Sequence, residues 1–429
     1  MIKKIKSNWL AIGLTTVVII SLVLTGLIWL SPMQYERTRE TSNSSLSTPQ
    51  SIGDLYLPTQ VIHTDDNQHQ YQLYSSRKNT ISDIRSQLKK TELGRVSLIK
   101  QENSDVFLSY LHQRNSVIIN YTASITSTIF NETFSQTLDT SKIKQVDHIL
   151  IPLKDARYIY LLNDEDYKIY RVKVGQTKVN TKIASIIKGT KTIPVDYKLI
   201  QGQPLVLYPK GFSLPVFGYQ VTKQNVDTLS QNLLSTSKQS SLRTERSDNK
   251  TIYRNGENKR IVYNHNTGNI RYDNYLSQSD VPKTNQLYSY FFNQIAKTGI
   301  PMDNLRYDDI SKNRRTISFR SYVEGFPIYS ENGYGTVKIS SSLKGTNKTW
   351  MNIYNIQVPL PIAETNVKLP STTTIFNQLR AENRLKDVNG IRIGYLWKNS
   401  VDNNSVVKLV PTYLINYRGE WINYEDLQK

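Results

Sequence analysis

Twenty-two consecutive residues near the start of the chain, Trp9 to Leu30 (WLAIGLTTVVIISLVLTGLIWL), carry no charge. As a helix rising ~1.5 Å per residue they would span ~33 Å, enough for the hydrocarbon core of a bilayer. Trp9 and Trp29 stand at the two ends, where indole rings prefer the membrane interface. Lys3, Lys4 and Lys6 precede the run, so the positive-inside rule places residues 1–8 in the cytosol and the chain after Leu30 outside. A cleaved signal peptide would carry an apolar stretch of about 7–15 residues followed by small residues at a cleavage site. Here the run is longer and continues into Ser31-Pro32-Met33-Gln34-Tyr35, so a retained helix over 9–30 is expected.

Placing nearly all of a 429-residue chain outside the membrane restricts its function. Eight cytosolic residues cannot form an enzyme or a DNA-binding domain, so any signal to the cytosol must pass through another membrane protein. Within the span, Gly13, Ser21, Thr25 and Gly26 are small or weakly polar, and Ser21 and Thr25 lie one turn apart. Residues of this kind let helix backbones approach and bond across an interface, which makes these four the candidates for helix–helix contact.

Outside the membrane, residues 31–53 read as a linker, and 38–53 (TRETSNSSLSTPQSIG) is polar in the manner of a flexible tether. Three folded parts are expected: 54–204, 205–281 and 282–429. In the first, Ile81–Lys90 has helical spacing, Ser116–Tyr121 reads as extended, and 156–174 reads as a hairpin turning at Asn163–Asp166. In the second, a helix is expected over Val221–Leu234, followed by the strands TIYRN, RIVYN and NIRYD with Gly256 and Gly268 in their turns. In the third, a helix near Asn285–Lys297 precedes TISFRSYV, PIYS and YGTVKIS. A further helix over Thr372–Asn383, capped by Ser371 or a neighbouring Thr, precedes GIRIGYLW and VVKLVPTYLINY. A helix followed by antiparallel strands thus recurs about three times without a strict period. The fold class is α+β: one transmembrane helix, then a multi-domain ectodomain of antiparallel sheets, each with packed helices.

The formal net charge of +19 favours anionic partners. Basic residues are spread along the chain with no dense run after Lys6 and no nucleic-acid-binding module, so a membrane or an anionic wall polymer is a better match than nucleic acid. The absence of cysteine excludes disulfides, thiolate metal sites, cysteine nucleophiles and a lipid-modified cysteine. With hydrophobic residues at 38% and 28 tyrosines, half-wet sheets with modest cores are expected.

Three strings suggest enzymatic chemistry. Ser97-Leu-Ile-Lys100, Ser247-Asp248-Asn249 and Lys297-Thr298-Gly299 match, in order, the motifs of penicillin-binding proteins and serine β-lactamases. Their context argues against that use. Ser97 lies in an extended stretch, whereas the nucleophile should open a helix, and Lys297-Thr298-Gly299 closes a helix rather than lining a strand. His63 and His69 flank Asp65 and Asp66, but a spacing of six fits no helical ligand pair and reads as a solvated turn. Asp164–Asp166 reads likewise as a turn. No catalytic residue, cofactor or metal ligand is expected.

The chain resembles the YycH regulatory proteins of low-GC Gram-positive bacteria. The likeness runs through Ser21-Leu-Val-Leu-Thr-Gly-Leu-Ile-Trp29 with Tyr35, Tyr158-Ile-Tyr-Leu-Leu-Asn163, and Tyr253-Arg-Asn-Gly256 with Arg260-Ile-Val-Tyr263. It continues through Phe319-Arg-Ser-Tyr-Val-Glu-Gly-Phe-Pro-Ile328, Gly394-Tyr-Leu-Trp397 and Leu409-Val-Pro-Thr-Tyr-Leu414 to Trp421. This resemblance implies a three-domain α+β ectodomain and a non-enzymatic accessory protein. Its implied partners are a WalK (YycG) sensor histidine kinase and a YycI-like protein, bound through transmembrane and exterior contacts. The alternatives are a surface protein that binds anionic wall polymer and, further off, a wall enzyme of the penicillin-binding type.

Overall fold

The structure, a computed structural model, describes residues 14–19, 21 and 51–428 except 75–78, 100–102, 155–156, 176–177, 235–241, 278–280, 284–285, 303, 363–364 and 400–404. The chain divides into two units, Met1–Pro49 and Gln50–Lys429. In the first, residues 14–19 and Ser21 are helical and exposed. Among the described residues, no helix is long and apolar enough to cross a membrane.

The second unit opens on α1 (Ile52–Leu55), β1 (Gln60–Thr64), β2 (Gln70–Tyr74), α2 (Thr80–Lys89) and β3 (Leu93–Ile99). Next come α3 (Ser104–Leu111), β4 (Ser116–Thr126), α4 (Ser127–Phe134), β5 (Gln145–Pro152), β6 (Tyr158–Asn163) and β7 (Lys168–Val174). Helix α5 (Val179–Ile187), β8 (Lys191–Ile200) and β9 (Gln203–Leu207) complete a nine-stranded antiparallel sheet of order β3-β7-β6-β5-β4-β1-β2-β8-β9. Its central strands β4 and β5 are buried on both faces, and their sequences are correspondingly near-continuous apolar runs. Ile84 and Leu88 of α2, Phe130 of α4 and Ile183 of α5 cover one face, and Phe107 and Leu111 of α3 cover the other.

The chain continues through β10 (Phe212–Pro215), β11 (Phe217–Lys223), α6 (Val226–Leu234), β12 (Arg243–Ser247), β13 (Lys250–Asn255), β14 (Lys259–Asn264) and β15 (Asn269–Tyr275). Helix α7 (Leu287–Thr298) leads into β16 (Leu305–Ile310), β17 (Thr316–Val323), β18 (Phe326–Tyr329), β19 (Thr336–Ser341) and β20 (Thr346–Asn352). The last stretch is β21 (Tyr354–Leu360), β22 (Asn366–Leu369), α8 (Thr372–Ala381), β23 (Val388–Asn399), β24 (Val406–Tyr417), β25 (Glu420–Asn423) and α9 (Tyr424–Leu427). Fourteen strands form one path, β12-β13-β14-β15-β20-β19-β17-β18-β23-β24-β11-β21, with β16 beside β17 and β25 beside β24. β10 and β22 form a separate pair. Among the described residues, every pairing is antiparallel except β18 with β23.

Several expected elements stand where the sequence placed them. The strands TIYRN, RIVYN and NIRYD are β13, β14 and β15, with Gly256 and Gly268 in the left-handed conformation their turns require. The Ser371 side chain accepts from the Thr374 amide at 3.2 Å to cap α8, and Gly299 ends α7 at φ 66°.

Other expectations need correction. The helix expected over Val221–Leu234 starts only at Val226, because Tyr219 to Lys223 are held as a strand between β21 and β24. Strand β12 (RTERS), exposed on both faces as an edge, had no apolar alternation to betray it. The linker expected to end at 53 already gives way at Ile52 to α1, where the Ser51 amide donates to the Asp54 carboxylate at 2.8 Å. The pairing crosses the expected boundary at 281, since β11 pairs with β24 and β15 with β20, whereas position 204 falls in β9, the last strand of the nine-stranded sheet.

Candidate functional site: the junction behind the first folded helix

Among the described residues, helix α1 is the first element after the apolar segment in sequence, and it is tightly held. A Cβ on Gly53 would stand 2.7 Å from the Thr133 Cα, so α1 and α4 touch through bare backbone. Arg85 of α2 pairs with Asp54 and donates from Nε to the Thr133 carbonyl at 2.9 Å. Burial pushes the Asp54 carboxyl up, but the hydrogen bonds from Arg85 and Ser51 outweigh it and hold it below the ordinary carboxylate range.

Tyr56, fully buried just after α1, carries the contact onward to the second sheet. Its ring lies 5.3 Å from Tyr288 of α7, 5.4 Å from Tyr307 of β16 and 5.8 Å from Phe319 of β17. Its hydroxyl donates to the Tyr288 carbonyl at 3.0 Å. The Tyr288 and Tyr307 hydroxyls both donate to the Ser124 carbonyl of β4, at 3.2 and 3.0 Å. Each hydroxyl thus finds an acceptor inside an apolar cluster, which keeps buried tyrosines from costing stability.

One residue beyond Tyr307 the backbone of β16 bulges. Tyr307 pairs with Phe319 and Asp309 with Ser318, leaving Asp308 unpaired in the register. A bulge re-aims the side chain it carries. Here the fully buried Asp308 carboxylate accepts from Arg392 of β23 at 2.8 and 3.0 Å, from Arg320 Nε of β17 at 2.9 Å and from the Tyr322 hydroxyl at 3.1 Å. Burial raises this carboxyl, but the charges of Arg392 and Arg320 overcome it and hold it far below the ordinary range. Arg392 also stacks 3.8 Å from the Trp421 ring centroid, and Arg320 donates to the Ile328 carbonyl at 3.2 Å. Asp309 alongside is pushed up to about 6 by burial and by the negative charge of Asp308. The junction therefore ties α1 and the nine-stranded sheet to β16, β17 and β23 in the middle of the fourteen-strand path through buried groups. The Asp308 carboxylate and the Arg320 and Arg392 guanidinium groups are turned on one another and away from solvent.

A second buried polar network lies in the nine-stranded sheet. His148 Nδ1 faces the Asn120 side-chain oxygen at 2.7 Å, and its Nε2 faces Asp164 at 2.7 Å. Tyr197 donates to the same Asn120 oxygen at 2.8 Å. Two acceptors around one ring suit the doubly protonated imidazole. Burial lowers the His148 pKa, but the Asp164 charge and hydrogen bond outweigh it, so the net shift is upward. Neighbouring Asp147 is raised to about 6 by burial and by Asp164. The turn Asn163–Asp166 thus contributes Asp164 to a structural network.

The residues singled out from sequence are not gathered here. Ser21 is on the exposed helical stretch, and Gly13, Thr25 and Gly26 lie outside the described residues. The three enzyme-like strings are placed on separate elements. Ser97 is on strand β3, Ser247-Asp248-Asn249 runs from β12 into the turn before β13, and Lys297-Thr298-Gly299 ends α7; Lys100 lies outside the described residues. His69 contacts Asp65 at 3.2 Å in the exposed β1–β2 turn, while His63 Nδ1 faces the Ser116 carbonyl at 3.1 Å. Among the described residues, no group of three side chains is arranged to hold a metal. Sequence reasoning missed the junction itself. Its signal was a lone charge inside each of two otherwise uncharged strands, Arg320 in TISFRSYV and Arg392 in GIRIGYLW, with the Asp308-Asp309 pair in LRYDDI to answer them.

Family comparison covers this same framework. The YycH protein N-terminal domain matches residues 7–192, and the YycH protein C-terminal domain matches residues 208–429. The chain belongs to the YycH family. Comparison with curated proteins finds no match. Among solved structures, the crystal structure of YycH from Bacillus subtilis superposes with a TM-score of 0.68 at 15% sequence identity, covering 88% of this chain and 98% of that one. At that identity the likeness speaks for the YycH fold.

Proposed function

We propose that this YycH-family chain is a membrane-anchored, extracytoplasmic accessory regulator of a WalK (YycG)-like sensor histidine kinase that controls wall metabolism, acting with a YycI-like partner. The observation that carries this reading is the family match across residues 7–192 and 208–429. The uncharged run Trp9–Leu30 supports the anchor, and Gly13, Ser21, Thr25 and Gly26 are its proposed contact residues with the kinase helices. Within the folded unit, Gly53, Asp54 and Tyr56 hold α1 against both sheets. The effect on the kinase is then a small bias on a two-state receptor, with either sign available.

Co-purification from membranes tests the reading. The kinase should be recovered with the full chain, and bulky replacements at Gly13 or Ser21 should reduce recovery while the ectodomain stays folded. No recovery of a sensor kinase, together with unchanged kinase output after deletion of the chain, would overturn it.

A further inference from the structure

The fourteen-strand path has a face that packing does not explain. On β13, β14, β15 and β20, alternate residues point into the core: Tyr253, Ile261, Ile270, Tyr272 and Met351 are buried beneath α6 and α7. The intervening residues form the opposite face, and there the register lines up cations. Arg243 on β12 stands opposite Arg254 on β13, Arg254 opposite Arg260 on β14, Arg260 opposite Asp273 on β15, and Asp273 opposite Lys348 on β20. Two residues along the strands, a second row runs from Glu245 through Ile252 and Val262 to Arg271, Trp350 and Lys338.

Like charges directly opposite each other on neighbouring strands destabilise a sheet. Three arginines in consecutive register are therefore a cost that folding does not require. The relief within the chain is partial. Glu245 lies 3.6 Å from Arg243 and 3.4 Å from Arg254, and Asp273 lies 2.6 Å from Arg260 and 3.3 Å from Arg271. Two carboxylates answer four guanidinium groups, and Lys338 and Lys348 have no carboxylate within salt-bridge distance among the described residues. Apart from Asp273, the cation-bearing rows stay half-buried or exposed.

The shape of the surplus charge points to the ligand. Five adjacent strands spaced ~4.8 Å apart make a nearly straight row of ~19 Å. A straight row suits an extended chain with repeated negative charge better than a compact acidic surface. Guanidinium forks match phosphate oxygens in pairs, and the half-buried Trp350 between Arg271 and Lys338 offers a flat platform for the uncharged part of a repeating unit. We propose that the open face of β12, β13, β14, β15, β20 and β19 binds a linear, phosphodiester-linked wall polymer lying across the strands. This deepens the regulator reading, since it rests on this sheet facing outside the membrane, and it names the kind of external ligand the ectodomain would read.

Binding can be measured with neither membrane topology nor a kinase in play, so a failure here is separable from a failure of the regulator reading. The full chain in detergent is titrated with end-labelled poly(glycerol phosphate), with single-stranded DNA and poly-glutamate of equal charge as comparisons, at ~0.1 M salt, where exposed charges are screened beyond ~10 Å. The triple variant Arg254→Gln, Lys338→Gln, Lys348→Gln is set against a control with the same loss of charge elsewhere, Lys173→Gln, Lys182→Gln, Lys188→Gln, all three exposed. The face variant should bind at least about tenfold more weakly, and its log–log salt dependence should flatten by about 2, at ~0.7 for each phosphate no longer neutralised, while the control changes less than about twofold. Its melting temperature should hold or rise, which excludes misfolding as the cause. Absence of binding by the unaltered chain, equal losses in the two triple variants, equal affinity for poly-glutamate, or tighter binding of DNA would each overturn the proposal.

Discussion

The junction around Asp308 and the open face around Arg254 both place arginines and a carboxylate on β-strands, with opposite results. At the junction one carboxylate is saturated by two arginines and a tyrosine hydroxyl, away from water. On the open face two carboxylates are shared by four arginines, with lysines left over. The first arrangement is stable only when complete, because a buried charge stripped of its partner is costly. The second tolerates deficiency because water screens it. Completed charge marks what holds the molecule together, and uncompleted charge marks where something else can be added.

That contrast breaks most visibly at Arg392. Arg392→Ala leaves Asp308 buried with half its neutralisation and should cost ~3–5 kcal/mol in a thermal or denaturant melt. Gly53→Val should follow at ~1–3 kcal/mol, since its Cβ would be forced against the backbone of α4. A change of opposite sign is expected at Asp309. Its native pKa of about 6 lies above the unfolded value, so the ionised form opposes folding and native stability falls as pH rises from ~4 to ~6. Asp309→Asn should therefore stabilise the protein at pH 7, by about 1–3 kcal/mol, and the gain should vanish below pH ~4. Ser371→Ala should cost ~1 kcal/mol through the missing cap on α8. The smallest effect belongs to the open face, where Arg254→Gln should stay within ~0.5 kcal/mol or stabilise slightly. A loss there as large as at Arg392 would erase the distinction between the two regions.

Local features were legible in the sequence and long-range ones were not. The strands β13 to β15, the Gly256 and Gly268 turns and the Ser371 cap follow from alternation and from residues that favour one backbone conformation. The pairing of Asn269 with Asn352, or of Phe217 with Leu409, joins segments far apart in the chain, and no local pattern announces it. That is why strands of the expected middle and C-terminal parts are interleaved in one path. The bulge at Asp308 was hidden for the same reason, because it exists only relative to its partner β17. The basic face was half visible, since the sequence carries the arginines but only the register sets them opposite one another.

The proposed role as an anchored regulator is tested most directly by phosphorylation of the response regulator in proteoliposomes containing a WalK-like kinase. The assay compares no added protein, the full chain, and the ectodomain released from residues 1–49. The account predicts that the full chain shifts the phosphorylated fraction, in either direction, and that the released ectodomain shifts it much less. Equal output in all three preparations, or an undiminished effect from the released ectodomain, would contradict it.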